Sequence, residues 1–257
     1  MTLKDLPAKK VRAVFTDLDD TLTDDQRISS ETYRVLWELK KAGFWLVIVS
    51  GRPAGWADAL TRLWPIDHMI FENGAGWSAR DGHKVVTTRL VNGGAGDLSA
   101  IFARLKEKVP ALKPASDQRY RLHDYAIDFA EEPPFLDSET VNWCLSELAR
   151  EPGVTAKVSS IHINFWRGTH TKVTACEALL QREGAKRRVG RDEVAFVGDS
   201  PNDEPLFEFF PNAVGVANVA PFLGKMKSHP RFLTQEKGGK GFEELAHLLL
   251  DSQRKNS

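Results

Sequence analysis

Asp17-Leu18-Asp19-Asp20-Thr21-Leu22-Thr23 follows directly on Val11-Arg12-Ala13-Val14-Phe15-Thr16. The second stretch is short, apolar and β-branched, the pattern of a buried strand. Asp17 and Asp19 therefore stand where a strand gives way to a loop. In open α/β sheets the carboxyl ends of strands are where ligands bind. Two acids crowded there repel each other, so a metal or a lysine has to hold them.

Working outward, strand and helix signals alternate. A helix is expected from about Ser30 to Ala42, with Ser29 or Ser30 as N-cap, Gly43 as C-cap, and Tyr33, Leu36, Trp37 and Lys40 on one face. Phe44–Val49 reads as the next strand, ending in Ser50-Gly51-Arg52-Pro53, with Pro53 placed to open a second helix. Met69–Phe71 is a third strand. This βαβαβ rhythm implies a parallel sheet with helices on its faces.

From about Lys84 the rhythm changes. Strand-like runs (Val85–Thr88, Tyr125–Phe129, Lys157–Ile163) alternate with helix-like runs near Leu98–Lys108 and Phe135–Ala149, punctuated by Gly93-Gly94, Pro110, Pro133-Pro134 and Pro152-Gly153. The expectation is an α+β module at 84–168 inserted into a core formed by 1–83 plus 169–257. The core pattern resumes with a helix from Thr171 to Glu183 capped by Gly184. After it come a strand Val194–Val197, then Gly198-Asp199-Ser200-Pro201-Asn202-Asp203, a strand near Val214–Val216 and a last helix near Phe242–Leu250.

Composition narrows the function classes. The chain has 257 residues, and Lys+Arg and Asp+Glu are each 35, so no basic surplus favours nucleic acid or an anionic membrane. No apolar run approaches the roughly 20 residues of a membrane span. The opening MTLKDLPAKK lacks the apolar segment of a signal peptide, so a cytoplasmic location is expected. Cys144 and Cys176 lack metal-type spacing, and Cys176 reads as a small core residue. Two glycine-rich stretches are set aside as loops. Gly74-Ala75-Gly76-Trp77-Ser78-Ala79 runs into turn residues with no helix after it, and Gly238-Gly239-Lys240-Gly241 lacks P-loop spacing.

Four pieces at the ends of core elements form one constellation: Asp17/Asp19, Ser50, Lys172, and Asp199 with Asn202 and Asp203. In the order DLDDTLT, SGRP, Asn73-Gly74, Lys172, GDSPND and Gly215-Val216-Ala217-Asn218, the chain resembles the haloacid dehalogenase (HAD) superfamily over nearly its whole length. The placement of its insert resembles type IIB, the Cof-like and sucrose-phosphatase-like hydrolases. The resemblance implies an α/β fold, a Rossmann-like parallel-sheet core carrying an α+β (type C2B) cap. It also implies a Mg²⁺-dependent phosphatase acting on a small phosphorylated metabolite, a sugar phosphate by analogy with sucrose-phosphate phosphatases.

By the same resemblance Asp17 is the nucleophile, Asp19 the general acid turned base, and Lys172 a cation for the nucleophile and phosphoryl oxygens. Ser50, Gly51, Arg52 and Asn202 would bind substrate; Asp17, Asp19, Asp199 and Asp203 would hold Mg²⁺. Asp203 is read either as a direct ligand or as an acceptor orienting its neighbours. Asp20 stands where relatives often carry glycine and is read as a loop residue tolerant of left-handed backbone. Cap residues Arg119, Arg121, His123, Lys157, His162, Asn164 and Arg167 are polar candidates for substrate contact. Trp77 and Trp166 are candidates for stacking on a sugar or for burial. The alternatives are a phosphosugar mutase and, from a different class, a binding protein that has lost turnover.

Overall fold

The computed structural model describes residues 1–92 and 97–254. Gly93-Gly94, read above as a joint, lies outside the described residues. The core elements begin with β1 (Ala13–Thr16), α1 (Ser30–Lys41), β2 (Trp45–Val49), α2 (Ala54–Leu63), β3 (His68–Phe71), β4 (Gly76–Asp81) and β5 (Lys84–Arg89). The cap follows with α3 (Leu98–Lys108), β6 (Lys113–Pro114), β7 (Asp124–Asp128), α4 (Ser138–Leu148), β8 (Val154–Val158) and β9 (His162–Arg167). The chain returns through α5 (Lys172–Leu179), a π turn Leu180–Gly184, α6 (Ala185–Arg187), β10 (Val194–Gly198), α7 (Glu204–Phe209), β11 (Asn212–Gly215), β12 (Phe232–Leu233) and α8 (Gly238–Arg254).

The large sheet runs β12-β11-β10-β1-β2-β3-β4-β5, parallel through β3, with β4 and β5 antiparallel at one edge. Every residue of β1, β2, β3, β10 and β11 is buried, because helices cover both faces; that is why these strands read as unbroken apolar runs. Val14 packs with Leu36 and Leu39 of α1 and Leu245 of α8 on one face. Phe15 packs with Cys176 and Leu179 of α5 on the other. Its neighbours in the sheet put Asp17 at the centre of the carboxyl edge.

The cap is a separate antiparallel sheet, β6-β7-β9-β8. Ile127, Ile163 and Phe165 on one face bury against Leu98 and Phe102 of α3 and Cys144 and Leu148 of α4. By alternation, Asp124, His162, Asn164 and Trp166 stand on the other face. Among the described residues no helix is long and apolar enough to cross a membrane.

Several sequence expectations move. Lys84–Arg89 pairs with β4 in the large sheet, so the strand assigned to the insert belongs to the core edge. Lys157–Ile163 is not one strand: Ser159 and its neighbours turn the chain between β8 and β9, and Ser159 N donates to His162 O. On α1 the buried stripe is Thr32, Val35, Leu36 and Leu39, and Trp37 is exposed. Gly184 does not cap its helix, which continues to a left-handed Arg188. Gly238–Gly241 is the first turn of α8, where Gly239 N donates to Asp24 Oδ2 at 3.3 Å. Gly74–Ala79 opens no helix, as expected, but it is not a loop either, since residues 76–79 form most of β4.

Candidate active site

Asp17 leaves the end of β1 buried, and Asp20 has φ 58°, the left-handed backbone anticipated for it. Asn218 holds that bend, its Nδ2 donating to the Asp20 carbonyl at 2.7 Å. Lys172 is the first residue of α5, whose N-cap Thr171 accepts from Thr174 N. Gly74 fixes where that helix starts: at φ +109°, any Cβ there would lie 2.2 Å from the Thr171 carbonyl oxygen. The Lys172 ammonium thereby reaches two acids, donating to Asp17 Oδ1 at 2.7 Å and Asp203 Oδ1 at 2.9 Å.

Asp203 is fully buried, and its other oxygen accepts from Asp199 N at 3.2 Å. Only glycine at 198 admits that carboxylate, since a Cβ would stand 2.6 Å from Asp203 Oδ2. Asp199 Oδ1 accepts from Thr21 Oγ1 at 3.2 Å. Ligand oxygens of Asp17, Asp199 and Asp203 lie within 4.8 Å of one another, all on buried residues. Burial, above the repulsion of Asp203, pushes Asp199 up to about 9. Burial likewise pushes Asp17 up to about 8, against the lowering effect of Lys172. Burial by itself would lower Lys172, but its two acids raise it, so its charge is kept. One ammonium does not balance three buried carboxylates. A hard divalent cation fits the all-oxygen donor set.

Asp19 is not part of this group. Its carboxylate is chelated by Arg52, with Nε at 3.1 and 3.0 Å from its two oxygens and Nη2 at 2.9 Å from Oδ1. Arg52 is itself 2% exposed, and its Nη1 donates to two cap acids, Asp117 Oδ2 at 3.3 Å and Glu131 Oε1 at 2.7 Å. The arginine anticipated for a substrate anion is thus spent on a bridge from the Asp17 loop to the cap. His162 Nε2 lies 2.7 Å from the other Glu131 oxygen. Burial would raise Glu131, but His162 and Arg52 outweigh it and bring Glu131 down to about 2.

A second bridge runs beside the first. Arg121, read as a substrate contact, has a fully buried side chain that donates to Asp117, Asp124 and the Gly51 carbonyl. Glu72, at φ 46° after β3, accepts from Ala54 N in the core and from Leu122, His123 and Asp124 N in the cap. Asp124, which also accepts from Asn164, is pushed up to about 7 by burial despite Arg121. Glu72, Asp117, Asp124 and Glu131 were missed in the sequence. Glu72 and Glu131 sit in turns and meet partners far along the chain, while Asp117 and Asp124 pair with Arg121 nearby and reach Arg52 and Asn164 at long range.

These bridges close the cap over the site. Asp17, Asp19, Ser50 and Asn202 from the core meet His162 and Asn164 from the cap around a cavity of about 20 Å³. A single water needs roughly 10–15 Å³. Ser50 Oγ accepts from Arg52 N at 3.0 Å, so its hydroxyl proton is left to donate. Gly51 also lines the cavity. Of the other cap candidates, Arg119 stacks on Tyr120 and Arg167 pairs with Asp97, away from this cleft; Trp77 and Trp166 are buried.

Arg52→Ala is expected to loosen the cap. Removing one partner of a buried ion network costs about 3–5 kcal/mol. The variant should show a lower unfolding midpoint and a larger radius of gyration by small-angle scattering. An unchanged radius and midpoint would remove Arg52 as the latch.

The family model for haloacid dehalogenase-like hydrolases matches residues 14–109. A phosphoglycolate phosphatase of Methanothrix thermoacetophila is 30% identical over 238 residues, 91% of this chain and 95% of the relative. The chain is a haloacid dehalogenase-like hydrolase. It is an enzyme of that family, a phosphatase. The fold of this hydrolase, cap included, is similar to a crystal structure from Thermoplasma acidophilum, with TM-score 0.73, 20% identity, and 93% and 99% of the two chains covered. It is also similar to a HAD subclass IIB sugar phosphatase, with TM-score 0.64, 16% identity, and 93% and 100% covered.

Proposed function

We propose that this phosphatase hydrolyses a small phosphate monoester by transferring the phosphoryl group to Asp17 and then to water. The observation that carries the reading is Lys172 bonded to Asp17 and Asp203 where three buried carboxylates converge. In this reading an Asp17 oxygen attacks phosphorus and splits one difficult displacement into two. Lys172 draws that carboxylate toward its ionised form, against the burial that raises it, and faces the phosphoryl oxygens, and Ser50 donates to one of them. Asn202, which lines the same cavity, donates to another. Asp19 protonates the departing oxygen and later takes the proton of the attacking water. That role requires Asp19 to leave Arg52, and a cavity that holds about one water requires the cap to open for a phosphate.

Asp17, Asp199 and Asp203 would hold Mg²⁺. When bound, the ion would offset the repulsion between nucleophile and phosphate and polarise the phosphoryl oxygens. Asp19 is left out of the side-chain ligand set because Arg52 occupies its carboxylate.

The substrate is a short phosphorylated acid ahead of the sugar phosphate expected from the motifs. Supporting it are the relative named for phosphoglycolate and the tight enclosure of the site. Phosphate release is measured on phosphoglycolate, sugar phosphates, nucleotides and p-nitrophenyl phosphate, with Mg²⁺ and with chelator. Mg²⁺-dependent release with phosphoglycolate foremost is expected. Preference for a sugar phosphate would restore the earlier expectation. Dependence on a sugar bisphosphate would mean a mutase, and no release from any ester would mean a protein that binds without turnover.

The raised carboxylates also predict a pH dependence. Asp17 and Asp199 go from an ordinary 3.8 to about 8 and about 9, so between those limits the folded protein holds protons that the unfolded chain has lost. Stability of the metal-free protein must therefore fall as pH rises through that window. Mg²⁺ at about a hundred times its Kd should add about 2.7 kcal/mol, or roughly 5–10 °C, most clearly at the alkaline end. Thermal unfolding at about pH 6 and about pH 9, with chelator and with Mg²⁺, checks this. A metal-free midpoint that rises with pH, or no response to Mg²⁺, would contradict it.

A further inference from the structure

A second cavity, of about 70 Å³, opens behind Lys172 and is lined by Asn73, Lys157, Trp166, Lys172 and Asn202, among others. It has room for several water-sized groups. Asn202 lines the phosphate cleft as well, so the two cavities adjoin.

The cap-sheet register supplies the wall. Lys157 of β8 stands opposite Asn164 of β9, and Trp166 follows two residues on, so all three share the face turned to the core. Asn164 borders the phosphate cleft, while Lys157 and Trp166 border the second cavity. Trp166 is 1% exposed and Asn73 4%, yet Trp166 Nε1 and Asn73 Nδ2 have no hydrogen-bond partner among the described residues. Asn73 is held at φ 53° against Gly51, where a Cβ would stand 3.2 Å from its Nδ2. Buried polar groups without partners are rare and costly, and these two are both N–H donors. With the Lys157 ammonium they ask for a group that only accepts. An ionised carboxylate is such a group, whereas a sugar hydroxyl also has a proton to place.

Building on the phosphatase reading above, we propose that this cavity is the carboxylate subsite of the substrate. Lys157, Trp166 Nε1 and Asn73 Nδ2 select phosphate esters of short hydroxy acids over neutral esters of the same size. Lys157 supplies the charge and the two buried donors supply direction.

The test compares phosphoglycolate with ethyl phosphate, which lacks the carboxylate, in wild type, Lys157→Met and Trp166→Phe. Losing a charge-assisted contact should lower the phosphoglycolate-to-ethyl phosphate ratio of kcat/KM by about tenfold or more in Lys157→Met. Most of the loss should lie in KM. Trp166→Phe keeps an aromatic ring but removes the indole N–H, and should lower the ratio by a smaller factor. A ratio within twofold of wild type in both variants would overturn the proposal, as would a wild type that prefers ethyl phosphate. Failure of the phosphatase reading looks different: wild type then turns over neither ester. In that event calorimetric titration with phosphoglycolate decides the subsite, because weaker binding to Lys157→Met than to wild type supports it and equal binding overturns it.

Discussion

Asp17→Asn is expected to lower kcat by at least about 10⁴-fold while leaving the protein folded and no less stable. An amide oxygen lacks the charge to displace an alkoxide from phosphorus, and nothing else at the end of β1 takes its place. Asp19 is held 2.9–3.1 Å from Arg52, outside the carboxylate group. The stability expectation comes from crowding. Asp17 is one of three buried acids whose ligand oxygens fall within 4.8 Å, and burial already pushes it up to about 8. Asparagine removes the repulsion, and its oxygen can still accept from Lys172, which keeps its 2.9 Å bond to Asp203. Phosphate release with saturating substrate, beside the thermal midpoint, reads both effects. Activity within tenfold of wild type would remove Asp17 as the nucleophile.

Lys172→Met should fail in both respects. On the proposed mechanism it takes away the cation that faces nucleophile and phosphoryl oxygens, and a loss of about 10³-fold in kcat is expected. It also strands Asp17 and Asp203 without their counter-charge. Breaking a buried pair by deleting one partner costs about 3–5 kcal/mol. The stranded carboxylates escape part of that cost by protonating, so the deficit should be largest at alkaline pH and shrink in acid. Denaturant unfolding of the variant and wild type at two pH values checks the sign. A deficit that grows toward acid pH would contradict the electrostatic account, and near-normal turnover would contradict the catalytic one.

Much of this was legible before the structure, and the reason is physical. Parallel strands covered on both faces must be continuously apolar, so Ala13–Thr16 and Trp45–Val49 announce themselves, and with them the loops that start at Asp17 and Ser50. Lys172 was legible as the start of the returning helix. Local geometry was harder. The apolar run of α1 offered two stripes one residue apart, and packing against α8 chose the one without Trp37. Two serines between β-forming runs did not read as a hairpin, and four residues rich in glycine did not read as a helix start.

The cap latch was not legible at all. Arg52 meets Asp117 and Glu131, 65 and 79 residues away, and Glu72 meets the backbone of Leu122–Asp124 some 50 residues on. Such pairings depend on how the cap is seated, and no periodicity encodes that. For the same reason Arg52, read from the sequence as a substrate contact, is buried among acids of the loop and the cap.

The most direct test of the central claim is to look for phosphate on the protein. Wild-type enzyme mixed with substrate and quenched in acid within a turnover is digested and analysed by tandem mass spectrometry, with borohydride reduction as the trap for an acyl phosphate. The account predicts one phosphorylated, reducible carboxyl, on Asp17, absent from Asp17→Asn. Turnover with no protein-bound phosphate, or with the label on another residue, would contradict it.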